Sequence, residues 1–301
     1  MARTVRFLMM LTAMLCISLG GLPATAQAPG TSAPPGMRDP YAGKKKLLVV
    51  ADVQTGFQHD SISRAMAEIE RMGRESGDFV AFLRTDSQLL TSEPIEGVGA
   101  RYSGRYVNAR NLEYFDAVFF LGSGEGTLSD AQKADLLAFV REGKGFIGGH
   151  ASTIAFYDWP EYLEMIGGLM EGEFPVAPRR LVVEDPDFPG VDGFPSEVAD
   201  QYQYLTAPYD PSRIHTILRL DAQALAPELL ARHPDGDFPV VWAREYGQGR
   251  VFVSTFGHLD EAWDNPAIRR LYLEGIRWAL GLTQADVTPD TQQSSMERTA
   301  Q

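Results

Sequence analysis

The sequence predicts an α/β domain in which helices cover both faces of a mostly parallel β-sheet. Two observations support this fold class. Short, continuously apolar runs such as Leu47–Ala51 and Ala117–Leu121 are typical of strands buried on both faces of a parallel sheet. Longer amphipathic segments separate these runs, as at Ile62–Glu75, where apolar residues recur at helical spacing. This alternation predicts parallel strands that are joined by helical crossovers.

Each further element follows from a local pattern. Asp60 and Ser61 can cap the first helix, Ser129 starts the second, and Gly143 ends it. The segment Glu245–Gly249 predicts a hairpin turn between the last two strands. The remaining predictions are strands at Phe79–Leu83, Arg180–Glu184, Ile214–Leu218, Val240–Arg244 and Arg250–Thr255, and helices that begin at Pro160 and Pro266.

The chain begins with the pattern of a secretory signal peptide. Arg3 and Arg6 precede the apolar run Phe7–Leu19, and Ala24-Thr25-Ala26 follows as a small-residue cleavage site. We therefore expect an exported protein that is periplasmic in a bacterium or secreted. Composition predicts a signal peptide at 1–26, a flexible leader at 27–45, one domain at 46–282 and a disordered tail at 283–301.

Charge and cysteine content exclude several classes of function. The chain has 27 basic and 40 acidic residues, and cleavage of the signal peptide would leave 25 against 40, a net charge of −15. Such a protein repels nucleic acid and anionic lipid, so we expect neither as a partner of the mature chain. Cys16 is the only cysteine and lies in the predicted signal peptide. The mature chain would therefore have no disulfide and no thiolate nucleophile.

The stretch Gly143–Thr153 predicts a sharp turn from a buried strand into a helix. Phe146-Ile147 leads into two glycines, His150 and a series of small residues. Glycines permit the strained backbone of such an elbow, and His150 would then stand at the carboxyl end of a strand, where ligands of parallel sheets bind. The alternative is an ordinary loop with a hydrogen-bonded core histidine at this position.

Three of the five histidines follow predicted strands. His59 and His150 share the carboxyl edge of the predicted parallel sheet, and Gly257-His258 repeats the pattern of a small residue before a histidine. We therefore expect the three imidazoles to converge. His258 is the uncertain member, because its strand follows a hairpin and would place it on the opposite edge if that strand were antiparallel. His215 and His233 are expected to be structural or surface residues.

Five motifs occur in order along the chain: Gly56–Ser61, Gly145–Thr153, Tyr157–Pro160, Ala243–Val251 and Phe256–His258. Together they resemble the ThuA-like, or trehalose-utilisation, family over about Lys46–Leu282. The resemblance implies the flavodoxin-like fold of class I glutamine amidotransferases and a role in carbohydrate catabolism. Those amidotransferases keep a nucleophilic cysteine at the elbow. Because the mature chain has none, glutamine hydrolysis through a thioester is excluded.

Two positions depart from the pattern that is common in related sequences. Gly172-Glu173-Phe174-Pro175 stands where Gly-His-Pro is common, so Glu173 replaces a histidine. Ala199-Asp200-Gln201-Tyr202 stands where Asp-Glu-x-Tyr is common, so one acid is lost. We expect Glu173 or Asp200 to act as an orienting carboxylate.

The chemistry that remains is that of imidazoles and carboxylates, which serve as general acids and bases near neutral pH. Trp159, Tyr202 and Trp242 offer rings on which a sugar can stack, although such residues are more often part of a core. The predicted catalytic residues are His59, His150, His258, Glu173 and Asp200, and the predicted substrate contacts are Asp60, Glu125, Trp159, Tyr202, Trp242, Arg244 and Glu245.

These residues favour an exported enzyme that acts on a sugar or an oxidised, keto-bearing glycoside, by hydrolysis or by proton abstraction beside a carbonyl. The alternative is a non-catalytic sugar-binding or interaction module that kept the fold and lost the nucleophile. A small carbohydrate is the expected partner in both cases. No cofactor is required by the pattern, and a divalent metal such as zinc, held by His59, His150 and His258, is a further alternative.

Overall fold

The computed structural model describes residues 39–97, 101, 106–108, 110–231, 233 and 236–289. The predicted signal peptide, most of the predicted leader and the end of the predicted tail lie outside the described residues. Within the ranges described, no helix has both the length and the apolar character needed to cross a bilayer.

The elements are numbered in chain order. The strands are β1 (Lys45–Val50), β2 (Phe79–Arg84), β3 (Ile95–Glu96), β4 (Tyr106–Asn108), β5 (Ala117–Phe120), β6 (Gly145–Gly149), β7 (Leu169–Glu173), β8 (Ala177–Val183), β9 (Glu197–Asp200), β10 (Gln203–Thr206), β11 (His215–Leu220), β12 (Pro239–Tyr246) and β13 (Gly249–Ser254). The α-helices are α1 (Ile62–Ser76), α2 (Asp130–Arg141), α3 (Pro160–Ile166), α4 (Pro227–Leu230), α5 (Asp260–Asp264) and α6 (Pro266–Ala279).

Within the described residues, nine strands form one sheet in the order β2-β1-β5-β6-β13-β12-β11-β8-β9. The first five pair in parallel, in the 2-1-3-4-5 order of flavodoxin-like folds. The pairings from β13 to β9 are antiparallel. The predicted flavodoxin-like class is therefore confirmed, and the five strands of this parallel half are extended by an antiparallel half of four strands.

Alternate residues of β1 explain why helices cover both faces of the parallel half. Leu47 and Val49 lie in one apolar cluster together with residues of α1 and α6. Leu48 and Val50 point to the other face, into a second cluster with residues of α2 and α3. All four side chains are fully buried. Burial of apolar surface on both faces holds the strands in one layer, whose carboxyl edge is left to the connecting loops.

The packed chain extends past both predicted domain boundaries. Before β1, the ring of Tyr41 packs edge-on against Phe82. After α6, the side chain of Val287 is buried. Tyr41, within the predicted leader, and Val287, within the predicted tail, thus pack against the domain.

A short antiparallel ribbon of β7 and β10, absent from the sequence prediction, lies outside the main sheet. Its register places Gln203 opposite Glu173. The segment around Gly172 is polar and rich in glycine, so it lacks the apolar alternation by which a strand is predicted. The ribbon matters because it brings both residues to the carboxyl edge of the parallel half.

Candidate functional site

His59, His150 and His258 converge, as predicted. The distances between ring centroids are 4.7 Å for His59 and His150, 5.3 Å for His59 and His258, and 5.2 Å for His150 and His258. One ring nitrogen of each residue lies within 4.8 Å of those of the other two. We call these residues the trihistidine cluster.

Strand β6 delivers His150 through a strained turn. Its φ is +25°, a region that residues with a side chain rarely adopt. A 3₁₀ turn at His150–Ile154 follows, not the α-helix that the elbow pattern predicts. Gly149 precedes it because a Cβ there would lie 2.8 Å from side-chain atoms of Leu121 and Phe119. Tight packing under the turn therefore aims the imidazole at the edge of the sheet.

Two main-chain contacts orient His150. Its Nδ1 lies 2.7 Å from the carbonyl oxygen of Thr255. A carbonyl only accepts, so Nδ1 carries the proton and Nε2 presents a lone pair. The carbonyl oxygen of His150 accepts a hydrogen bond of 3.3 Å from the amide of Gln203. Gln203 and Thr255 thus fix this residue from both sides, and no sequence motif identified either of them.

His258 reaches the same edge because β13 is parallel to β6 and the antiparallel member of the hairpin is β12. Its Nδ1 lies 3.3 Å from Nε2 of His150. Gly257 takes a φ of +119°, and a Cβ there would lie 2.9 Å from the indole of Trp263. The glycine before His258 is therefore required by its backbone and by close packing.

Asp200 holds the main chain on both sides of His258. Its Oδ2 accepts from the amide of Gly257 at 2.8 Å, and its Oδ1 accepts from the amides of Gln201 at 2.9 Å and Leu259 at 3.4 Å. Burial raises the pKa of Asp200 to about 6 despite these hydrogen bonds, which act in the opposite direction. The carboxylate acts on the cluster through the backbone of its neighbour.

His59 lies in the loop between β1 and α1. Its Nδ1 is buried and has no hydrogen-bond partner among the described residues. The hydroxyl of Ser61 donates to the carbonyl oxygen of Gly257 at 2.7 Å, which ties this loop to the segment that carries His258. Ser61 was expected to cap α1, but its side chain makes no cap hydrogen bond. The serine joins two parts of the site.

All three imidazoles are held neutral. Burial, and then the neighbouring His59, lower the pKa of His150 to about 3. Burial, and then His258, lower the pKa of His59 to about 4. Burial also lowers the pKa of His258, against the charge of Glu173. A neutral imidazole keeps one N–H and one lone pair, and that N–H is far too weak an acid to protonate a substrate at neutral pH, which opposes the general-acid role expected of His150 and His258.

The cluster suits a divalent transition metal. Three imidazoles with a free fourth position form a known catalytic zinc set, and a tetrahedral ion with bonds of about 2.05 Å places two ligand nitrogens ~3.3 Å apart. One pair, Nδ1 of His258 and Nε2 of His150, has this separation of 3.3 Å, and all three ring nitrogens lie within 4.8 Å of one another. An ion would also satisfy the unpartnered nitrogen of His59. Behind the imidazoles, a cavity of about 10 Å³, lined in part by Trp263, has room for one water at most.

Three acidic side chains lie on segments next to the cluster, at the carboxyl edge of the sheet. Asp60, Glu125 and Glu173 are all exposed. Asp60 acts electrostatically on His59, and Glu173 acts on His258. Any ligand of the cluster therefore approaches through a rim of carboxylates.

Two exposed aromatic residues on these neighbouring segments were not predicted as site residues. Phe57 is 65% exposed and its ring meets the ring of His59 edge-on, with centroids 4.7 Å apart. Tyr157 is 44% exposed and lies within the electrostatic reach of Glu125. The sequence signal that could have identified Phe57 is that it is a single aromatic residue in a largely polar loop. The signal for Tyr157 is its position in the motif Tyr157–Pro160.

Trp159, Tyr202 and Trp242, which the sequence predicted as sugar platforms, are core residues instead. Tyr202 and Trp242 are fully buried, and Trp159 is 6% exposed. The indole of Trp242 donates to the carbonyl oxygen of Ile166 at 2.7 Å, and the hydroxyl of Tyr202 donates to that of Val198 at 2.9 Å. No ring face is left for a substrate, so this prediction is wrong.

Arg244 and Glu245 lie at the opposite edge of the sheet. In the register of β12 and β13 they face Val251 and Arg250, which belong to the amino-terminal part of β13. Because β12 runs antiparallel, its last residues lie away from the carboxyl edge that bears the cluster. The prediction that they contact substrate is therefore corrected by the direction of one strand.

His215 lies outside the cluster, as expected. Its Nε2 lies 2.8 Å from Oδ2 of Asp185, and its Nδ1 lies 3.1 Å from the carbonyl oxygen of Thr288. Both ring nitrogens are thus used within the fold. The imidazole of His233 is also bonded, with Nε2 2.9 Å from the carbonyl oxygen of Leu205.

Comparison with known proteins agrees with this fold. Residues 46–279 match the family model described as ThuA, trehalose utilisation. A ThuA-like protein from Bacteroides uniformis is similar in structure, with a TM-score of 0.59 and 19% identity over 81% of this chain and 95% of that one. Another, from Parabacteroides merdae, has a TM-score of 0.58 and 17% identity over 81% and 92% of the two chains.

A cytoplasmic protein from Salmonella typhimurium has a TM-score of 0.50 and 13% identity, over 78% of this chain and 98% of that one. Among curated proteins, none matches the sequence at a significant level. The solved structures bear on the fold alone at these identities. The family model covers most of the chain, from β1 to the end of α6. The chain therefore belongs to the ThuA, or trehalose-utilisation, family.

Proposed function

We propose that the protein is an exported enzyme of carbohydrate catabolism that uses the trihistidine cluster as a divalent metal centre and acts on a sugar or keto-glycoside. The observation that supports this most strongly is the convergence of three imidazoles that burial keeps neutral. Family membership supports the link to carbohydrate. Export rests on the signal-peptide pattern at 1–26, and the mature protein would then be periplasmic or secreted.

The metal interpretation accounts for features that acid and base catalysis by histidine does not. A general acid needs a proton near neutral pH, whereas the pKa values of His59 and His150 are about 4 and 3. A ligand needs the opposite, a free lone pair. A bound ion would supply Lewis-acid polarisation of a carbonyl oxygen of the substrate.

The residues around the centre then supply proton transfer and hold the ligands in position. Glu173 is exposed and close enough to act on His258, so we assign it the proton transfer that hydrolysis or enolisation requires. Asp200 and Thr255 orient His258 and His150 through main-chain hydrogen bonds. The packed wall of Leu121 and Trp263 closes the rear of the centre.

The test is a turnover assay of the mature protein on a panel of glycosides and keto-glycosides, with zinc supplied or removed by chelation. We expect product formation that chelation abolishes and zinc restores. Glu173→Gln should retain zinc and lose turnover, and Glu171→Gln, on the same strand, is the matched control. Sugar-dependent stabilisation without any turnover would instead support the non-catalytic sugar-binding module. Turnover that is indifferent to chelation would contradict the metal centre.

A further inference from the structure

Two exposed aromatic side chains lie on segments next to the trihistidine cluster, Phe57 beside His59 and Tyr157 after the turn that carries His150, and the function proposed so far uses neither. Phe57 and Tyr157 are 65% and 44% exposed, and the other large hydrophobic side chains of comparable exposure in the described residues are aliphatic. An exposed ring forgoes the free energy of burial, which for an aromatic side chain is among the largest available. Two such rings beside one site indicate a ligand that covers them.

The loops that carry these rings are tied into one surface. The hydroxyl of Ser123 donates to the carbonyl oxygen of Phe57 at 2.7 Å. The backbone amide of Gly124 donates to the carbonyl oxygen of Ile154 at 2.9 Å. The backbone amide of Phe156 donates to the carbonyl oxygen of Gly124 at 2.7 Å. The segment after β5 is therefore bonded to the Phe57 loop on one side and to the Tyr157 segment on the other. A ligand would meet rings that are already held in place.

The backbone on either side explains why both rings point outward. Phe156 has a φ of +51° and is buried, so it anchors the strained turn that leaves the next residue, Tyr157, at the surface. Gly56 precedes Phe57 because a Cβ there would lie 2.5 Å from the amide nitrogen of Gly124. The fold therefore keeps both rings exposed by close contacts beneath them.

The charged side chains that act on Tyr157, His59 and His258 from these segments include three carboxylates. Glu125 lies on the loop between the two aromatic segments and acts on Tyr157, while Asp60 and Glu173 act on the cluster itself. Carboxylates accept hydrogen bonds from hydroxyl groups and repel phosphate or carboxylate. A pyranose has an apolar CH face that packs on a ring and a hydroxyl edge that donates to carboxylates. The combination therefore suits an uncharged sugar.

We propose that Phe57 and Tyr157 are sugar-contacting residues of this site and that, with Glu125 between them, they select an uncharged pyranose over an anionic sugar. This inference rests on the proposed function, because it names the substrate surface of the same site. Neither ring supplies a metal ligand, so each can be changed while zinc binding is measured separately.

The experiment is calorimetric titration of the zinc-supplied mature protein with four sugars. Trehalose and methyl α-glucoside are the neutral probes; trehalose 6-phosphate and methyl glucuronide are the anionic ones. We expect the neutral sugars to bind at least about tenfold more tightly. Phe57→Ala and Tyr157→Ala should each weaken neutral-sugar binding about 2- to 12-fold, as expected for the loss of one aromatic contact. Val182→Ala, an exposed apolar residue on β8, is the matched control and should change nothing.

Parallel measurement of zinc content separates this inference from the proposed function. Unchanged sugar affinity in Phe57→Ala and Tyr157→Ala would overturn the proposal that these rings contact the sugar. Zinc binding by the same variants would show that the metal centre itself is intact. Tighter binding of the anionic sugars, or no binding of neutral sugars by the wild type, would also overturn the inference. Neutral-sugar binding that depends on both rings in a protein that takes no zinc would support the inference and overturn the metal centre.

Discussion

Ionisable side chains of the two halves of the sheet differ in whether the chain supplies a group of opposite charge to pair with them. At the carboxyl edge of the parallel half, His59, His150 and His258 face one another, and burial lowers the pKa of each. In the antiparallel half, buried Arg219 is matched by two carboxylates: its Nε lies 2.6 Å from Oε1 of Glu184, and it forms an ion pair with Asp237.

This difference distinguishes charged side chains that stabilise the fold, such as Arg219, from imidazoles that are placed to bind a ligand. Around Arg219 the charges compensate one another within the chain, so their burial needs nothing from outside. In the parallel half three ring nitrogens lie within 4.8 Å of one another, and the mutual proximity of the imidazoles lowers the pKa values of His150 and His59 further. Substitution of Arg219 and substitution within the trihistidine cluster should therefore have different consequences, the first in stability and the second in ligand binding.

The largest effect is expected from Arg219→Met. It leaves Asp237 and Glu184 without their cation in a buried position, so the free energy of unfolding should fall by ~3–5 kcal/mol. Chemical denaturation measures it. Arg180→Met is the control, because the exposed pair of Arg180 with Asp221, at 3.7 Å, is worth little. Zinc affinity of the folded Arg219 variant should be unchanged, and a loss of it would contradict the separation of the two halves.

His150→Ala should lower zinc affinity, whereas Arg219→Met should lower the free energy of unfolding. Removal of a ligand whose position is set by a strained turn and by Thr255 should weaken zinc affinity more than ~100-fold, since loss of a supporting group alone typically costs 10- to 100-fold. Competition with a zinc chelator measures the affinity. His215→Ala removes an imidazole that is bonded to Asp185, and it should bind zinc like the wild type. Equal affinities of the two variants would remove His150 from the centre.

The parallel half could be predicted from sequence because its signals are local. Continuous apolar runs such as Leu47–Val50 identify strands buried on both faces, and parallel strands must all open on one edge. Glycines before His150 and His258 then indicated where side chains leave the sheet. The convergence of three residues distant in sequence followed from these two facts.

The antiparallel half could not be predicted in the same way. The hairpin turn at Glu245–Gly249 predicts that β12 and β13 are antiparallel, but the apolar pattern is the same whichever of them runs with the parallel strands. The sequence therefore could not assign Arg244 to an edge of the sheet. Burial of Trp242 depends on its contact with Ile166, 76 residues away. Exposure of Phe57 is equally non-local, because it follows from the close approach of Gly56 to Gly124.

A smaller effect on zinc is expected from Asp200→Asn, since this residue acts through the backbone of its neighbour. An amide accepts fewer hydrogen bonds from Gly257 and Leu259, so the segment that carries His258 should loosen. Zinc affinity should fall about 10-fold, the lower end for supporting residues. Asp210→Asn, which changes a carboxylate that caps a surface turn, is the control. An unchanged affinity would show that the loop holds His258 without help.

The smallest effect is a pH dependence of the metal-free protein. Folding lowers the pKa of His150 to about 3 and that of His59 to about 4, from 6.5, so below pH 6.5 the unfolded chain binds two protons that the folded chain does not. Asp200 acts in the opposite direction, because its pKa is raised to about 6 and the folded chain binds its proton first. The balance near pH 5 is one proton in favour of the unfolded chain. The free energy of unfolding should therefore fall by ~1.4 kcal/mol for each unit of acidification between about pH 6 and 5, with His258 adding to the loss.

In Asp200→Asn the opposing proton is absent, so the dependence of the unfolding free energy on pH should become roughly twice as steep. Urea denaturation in the presence of chelator at a series of pH values measures both slopes, and a wild-type stability that stays flat from pH 6.5 to 5 would mean that the imidazoles are not held neutral by the fold.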